Sequence, residues 1–262
     1  MAQRRAPKKP APAAAGAAAP FRPAPETLAR LLPPGLAART PQTLLDALPE
    51  RVGLYADMLA AWNGAINLTG ARRPGDILER LIPDSFELAA FLSSGPLAEV
   101  TDAAGRANPA RGPRVWDLGA GGGLPGIPLR MVWERGEYTL AEVREKRALF
   151  LANALAKLGL PRTEVWRGPV ERLFAERPHG ADIILSRAFM PWEKLPDFCA
   201  PGLAPGGVII IFGAGPCGEL PAPWRLLAER AYNVGESRRW LWAIRREGGA
   251  DAGAPPGEGA HA

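Results

Sequence analysis

Histidine and cysteine are nearly absent. The 262-residue chain carries two of each, and His261 is the penultimate residue of a glycine-rich stretch. Histidine-based triads and histidine metal cages are thereby almost excluded. Cys199 and Cys217 are too few for a disulfide framework or a zinc site, so no metal is expected. No run approaches ~18 uninterrupted apolar residues, which excludes a membrane-spanning helix. Acidic residues are missing from the first 22 positions, which hold Arg4, Arg5, Lys8, Lys9 and Arg22. Those five cations account for the whole net charge of +5 and leave the remainder near neutral. A body without a net field does not steer a polyanion, so any contact with RNA must come from a local patch.

What is present divides by composition. Residues 1–39 read as a disordered basic arm, because Ala/Pro-rich sequence with scattered cations offers little to bury and blocks regular pairing. A secretory signal is the rival reading, disfavoured by the prolines that break the alanine run. Residues 247–262 read as a second disordered tail. Between them, residues 40–96 read as an N-terminal helical cap: Leu44, Leu48, Val52, Tyr55, Leu59 and Trp62 recur at helical spacing. Residues 97–113, rich in Gly, Pro and Ala, read as a surface loop or insertion.

Residues 114–246 alternate short β-type runs with helical segments. Strands are expected at 114–118, 138–142, 164–167, 181–185 and 207–212, with a late antiparallel strand at 240–244. The best helix spans 146–158 and is closed by Gly159 and Pro161. This alternation predicts an α/β fold, a doubly wound and mostly parallel sheet of Rossmann-like type.

The most informative segment joins the first strand to its helix: Asp117-Leu-Gly119-Ala-Gly121-Gly-Gly123-Leu124-Pro-Gly126. Five glycines in eight positions let the backbone turn tightly and admit a ligand without interference from Cβ atoms. Asp117 heads the loop, where an acid can take the ammonium of an amino-acid ligand. Glu142 closes the second strand, where a carboxylate can bind both ribose hydroxyls. A dinucleotide and S-adenosylmethionine both fit this pattern. The acid favours the second, which brings no phosphate to the loop.

Methyl transfer to different targets makes different demands. Pyrimidine C5 needs a cysteine nucleophile, and Cys217 reads better as a small loop thiol. Exocyclic adenine amines use an Asn/Asp-Pro-Pro-aromatic turn after strand four, where this chain has Ser186-Arg187-Ala188-Phe189. Guanine N7 carries a free lone pair and no proton, so a site without a general base suffices.

Longer strings carry a resemblance. They are Met58-Leu-Ala-Ala-Trp62-Asn63-Gly-Ala-Ile-Asn67-Leu68-Thr69, Pro83-Asp84-Ser85, the Gly119–Leu129 segment, Lys146-Arg147 and Ser186-Arg187-Ala188. Over roughly Val52 to Ile244 the chain resembles the small-subunit rRNA methyltransferase G (GidB) family. The resemblance implies a class I methyltransferase that uses S-adenosylmethionine to methylate guanine N7 in the decoding-region loop of 16S rRNA. Its partner would be 16S rRNA or the small ribosomal subunit, its location the cytoplasm, and its default state a monomer. Gly119, Gly121, Gly123 and Leu124 would line the cofactor, with Val170 and Glu171 near its adenine. Arg187, at the mouth, would be the catalytic residue. Asn67, Asp84 and Ser85 would close the pocket from the substrate side. Blander readings make Trp62 core, Asn67 a turn residue and Lys146-Arg147 a solvated helix face.

Three departures stand against the family pattern: Leu81, Pro169 and Gly213 occupy positions usually His, Arg and Lys. Losing cations from the substrate side removes charge-assisted contacts to phosphate or base. The alternatives to an active enzyme are therefore a cofactor-binding relative that docks on RNA without efficient turnover, and a Rossmann oxidoreductase.

Overall fold

The computed structural model describes residues 19–248. Residues 1–18, most of the expected basic arm, and 249–262, most of the expected tail, lie outside them. Seven strands form one sheet in the order β3-β2-β1-β4-β5-β7-β6. They are β1 (Arg114–Leu118), β2 (Glu137–Glu142), β3 (Thr163–Arg167), β4 (Ala181–Ser186), β5 (Leu203–Gly213), β6 (Trp224–Val234) and β7 (Ser237–Arg246). The first five are parallel; β7 runs antiparallel between β5 and β6. The chain winds outward from β1 through β2 to β3, then returns to place β4 on the other side of β1. That reversal opens a crevice at the carboxyl ends of β1 and β4, the usual ligand position of doubly wound sheets.

Nine α-helices are described: α1 (Pro25–Leu31), α2 (Gln42–Ile66), α3 (Pro74–Arg80), α4 (Pro83–Leu92), α5 (Gly95–Ala107), α6 (Gly126–Val132), α7 (Glu145–Leu158), α8 (Val170–Glu176) and α9 (Leu195–Cys199). The N-terminal helices do not form a core of their own. Leu48, Tyr55 and Phe86 belong to the same apolar cluster as Val115, Ile183 and Val208 of the sheet. The opposite face packs Trp116, Ile184 and Ile209 against α8 and α9.

Two sequence readings need correction. Residues 97–113 are not a loop: most lie in α5, which follows Ser94 with a proline in its first turn and buries Leu97, Val100 and Thr101 on one face. Arg135 holds the helix through Asp102 at 2.6 Å and Thr101 Oγ1 at 3.2 Å. Residues 19–39 are not part of an unstructured arm. They contain α1 and a 3-10 turn at Ala37–Arg39, and Leu28 and Leu36 are buried. The chain enters across α2, with the Phe21 N–H bonded to Asp57 Oδ2 at 2.8 Å. Gly53 permits that crossing, because a Cβ there would strike the Phe21 carbonyl.

Candidate active site at the carboxyl edge of the sheet

The bend after β1 is built from below. Gly119, Gly121 and Gly123 all have positive φ (69°, 57° and 82°), a region L side chains rarely enter. Asp117 lies beneath the bend, 1% exposed, accepting hydrogen bonds from the Tyr138 hydroxyl at 3.3 Å and the Gly126 backbone N–H. Burial pushes its carboxyl up to about 7, against the opposing pull of those bonds and of Arg187. Asp117 therefore anchors the loop through this bonding, a role the sequence reading did not give it. From above, Tyr55 on α2 donates to the Gly122 carbonyl at 2.7 Å.

Glu142 ends β2 beside the bend, almost fully buried. Its Oε2 accepts from the Gly121 N–H at 3.0 Å and its Oε1 from the Arg144 N–H at 2.8 Å. A carboxylate offers about four lone-pair sites, so one on each oxygen remains for a pair of hydroxyls. Val143 follows it and is 60% exposed, an apolar surface at the mouth. Leu124, half-buried, packs on the main core. Val170 is buried in the second core, while Glu171 is exposed at the start of α8.

Arg187 follows β4 and reaches across the crevice to Asp84 at the start of α4, 3.0 Å away. The other oxygen of Asp84 takes Arg239 of β7 at 2.6 Å and the Tyr232 hydroxyl of β6 at 2.9 Å. One buried carboxylate thus meets two guanidiniums, and the cluster keeps a net positive charge at the mouth. Ser85, beside it, is fully buried, and its Oγ has no hydrogen-bond partner among the described residues. Ala188 has φ of +55°, and the next residue, Phe189, lies against Gly119: a Cβ on that glycine would come within 2.7 Å of the ring.

Asn67 ends α2 in the left-handed region, exposed, and its carbonyl accepts from Arg147 at 3.3 Å. The residue that shapes this corner is Asn63, which the sequence reading left without a role. Its amide donates to the Thr69 and Ala71 carbonyls at 2.7 and 2.9 Å and accepts from the Leu68 and Thr69 N–H groups at 2.6 and 2.8 Å. Arg147 also stands 3.8 Å from where a Gly121 Cβ would be, so it is more than a solvated helix residue. Trp62 packs edge-on against Phe150 and is core. Asn63, Tyr55, Tyr232 and Arg239 share one trait: each acts through a contact distant in sequence or around a turn, which local pattern does not report.

A cavity of about 430 Å³ adjoins the bend, lined by Ala65, Ile66, Arg144, Glu145, Lys146 and Arg147. A larger one, about 670 Å³, lies at the opposite edge of the sheet near Asp182 and Gly206 and touches none of these groups. The two thiols are unsuited to nucleophilic work: burial raises Cys199 to about 12 and also raises Cys217, helped by Glu229. His179 bonds the Leu203 carbonyl at 3.0 Å, away from the bend.

The family description "rRNA small subunit methyltransferase G" (GidB) matches residues 49–216. The chain belongs to that family. Among its relatives, Ribosomal RNA small subunit methyltransferase G of Nitratidesulfovibrio vulgaris (strain DP4) is 44% identical over 197 residues, covering 75% of this chain and 84% of that one. The protein of the same name from Oleidesulfovibrio alaskensis is 37% identical over 238 residues, covering 87% and 96%. Among solved structures, the chain is similar to a SAM-dependent methyltransferase from Aquifex aeolicus, with a TM-score of 0.38 and 19% identity over 60% of this chain and 97% of that one. The chain is a class I methyltransferase with S-adenosylmethionine as its cofactor, as the family membership and the sheet order together establish. The residues fit that group. The side-chain-free bend, the spare lone pairs of Glu142 and the exposed Val143 would hold its backbone-facing, ribose and adenine portions respectively.

Proposed function

We propose that this chain methylates N7 of a guanine in the decoding-region loop of 16S rRNA. S-adenosylmethionine supplies an electrophilic methyl group on a sulfonium. The chain's own work is to orient that group, exclude competing nucleophiles and hold the base in line. The observation that carries the choice of atom is that the two buried acids beside Arg187 are both engaged. Asp84 is occupied by Arg187, Arg239 and Tyr232, and Asp117 is sealed under the bend. Such a site suits an acceptor whose lone pair needs no deprotonation, and N7 of guanine is one.

Arg187 is the candidate catalytic residue, facing the entering base from the end of β4, with Asp84 fixing its orientation. Asn67 and Ser85 close the cap side. Gly119, Gly121, Gly123, Leu124 and Glu142 hold the cofactor, with Val170 and Glu171 flanking it at the start of α8. We read the protein as a cytoplasmic monomer acting on 16S rRNA or the small ribosomal subunit. No described helix is long and apolar enough to cross a membrane.

The departures at Leu81, Pro169 and Gly213 favour a rival, an RNA-docking relative with weak turnover. Against it, Arg239 brings a guanidinium from β7 to the carbonyl of Arg80, next to Leu81, at 3.4 Å. The test is to map N7-methylguanine in 16S rRNA from cells with and without the gene. The modification should vanish from the deletion strain and return with the intact gene; an unchanged signal overturns the reading.

A further inference from the structure

Gly213 ends β5 and pairs in register with Trp240 of β7. No side chain fits at Gly213, because a Cβ would collide with the Trp242 indole. That indole is itself fixed by its N–H bond to the Gly215 carbonyl at 2.9 Å and by Trp192, edge-on at 5.5 Å. Trp240 lies at the outer end of this aromatic row, half-buried. The exposed guanidinium of Arg238 stands over its ring at 5.4 Å and has no carboxylate partner among the described residues. Residues 238 and 240 point to one face of the sheet and Arg239 to the other, by strand alternation. The rim of the crevice therefore carries a committed cation on the cap side and an unpaired cation on an aromatic surface on the other.

We propose that Trp240 and Arg238 form a platform for an unpaired nucleotide of the substrate RNA: the exposed Arg238 guanidinium swings off the indole to meet the phosphate, and the base stacks on the ring face it leaves. The proposal rests on the methyltransferase reading above and names how that substrate is held. β7 is three strands from β1, or about 14 Å at ordinary strand spacing, so the nucleotide bound is a neighbour of the methylated guanine. An indole covered only by a solvent-exposed, unpaired cation matches the two features every nucleotide of a single-stranded loop presents. Local pairing of this kind is what a body near neutral beyond its first 22 residues needs to hold a polyanion.

The test uses the full chain, S-adenosylmethionine and small ribosomal subunits from cells lacking the gene. Trp240→Ala should raise KM for subunits roughly tenfold, with cofactor affinity unchanged by calorimetry, and Trp240→Phe should recover most of the loss. Arg238→Gln should weaken binding and lower the salt slope of binding by roughly 0.7, the value for one single-strand phosphate contact. Unchanged KM in both Trp240→Ala and Arg238→Gln, with normal transfer by the unaltered chain, overturns the platform alone. Absence of transfer by the unaltered chain overturns the parent reading instead. A KM loss in Trp240→Ala accompanied by equal loss of cofactor affinity or of melting temperature marks a structural role and also overturns the platform.

Discussion

Tyr232 donates a hydrogen bond to Asp84 at 2.9 Å, though 148 positions separate them in the chain. The bond joins the antiparallel hairpin β6–β7 to the N-terminal helices, and Arg187 and Arg239 close on the same carboxylate from β4 and β7. Removing the acid leaves two guanidiniums facing each other without compensation. Asp84→Ala should cost about 3 kcal/mol of stability, whereas Tyr232→Phe should cost about 1 kcal/mol. Urea unfolding of both variants checks the ranking. Equal midpoints for Asp84→Ala and the unaltered chain would show the cluster to be energetically idle.

Gly121 combines a φ of +57° with an N–H bonded to Glu142. Gly121→Val places a β-branched side chain in a region costing roughly 1–3 kcal/mol and fills the space beside Arg147. Calorimetric titration with S-adenosylmethionine should show no binding. Glu142→Ala should weaken it by roughly an order of magnitude by removing a charged hydrogen-bond acceptor. Ordinary affinity in both variants would detach the bend from the cofactor.

Asp117 gives a pH signature. Its carboxyl rises from the ordinary 3.8 to about 7 on folding, chiefly through burial. The folded state then binds the proton more tightly than the unfolded state. Its contribution is most favourable below pH ~4, declines as pH rises toward 7, and is lost above. Three units correspond to about 4 kcal/mol. Asp117→Asn cannot ionise, so its stability relative to the unaltered chain should climb between pH 4 and 7 and level off beyond. Parallel unfolding curves across that range would refute the assignment.

Asn63 makes four hydrogen bonds to the turn after α2. Asn63→Ala should cost about 2–4 kcal/mol, since buried backbone groups lose their partners. Hydrogen exchange provides the local readout: the Leu68 and Thr69 amides should exchange faster, while those of β1 should keep their relative protection. Unchanged exchange at both amides would remove the turn-holding role.

Sequence alone made β1 through β5, β7 and α7 legible, because short apolar runs there end at glycine or proline and the helix keeps one buried face. β6 escaped it: Arg225, Glu229 and Arg230 interrupt an edge strand whose outward positions are free to be charged. α5 escaped because Ala and Gly dominate it, and its only packed apolar side chains are Leu97 and Val100. α1 was hidden by surrounding prolines, although Leu28 is enough to seat it. The glycine bend, Glu142, Arg187 and Asp84 were legible as candidates, and the structure gathers them at the carboxyl edge of the sheet, Arg187 lying 3.0 Å from Asp84. The inward aim of Asp117 was not, since a motif records which residue stands at a position and leaves its facing open.

At the end of the fifth strand, Gly213 is a bare α-carbon roofed by the indole of Trp242. Any side chain placed there would have to evict a packed ring, so a substitution at Gly213 is tolerated only together with a smaller residue at position 242.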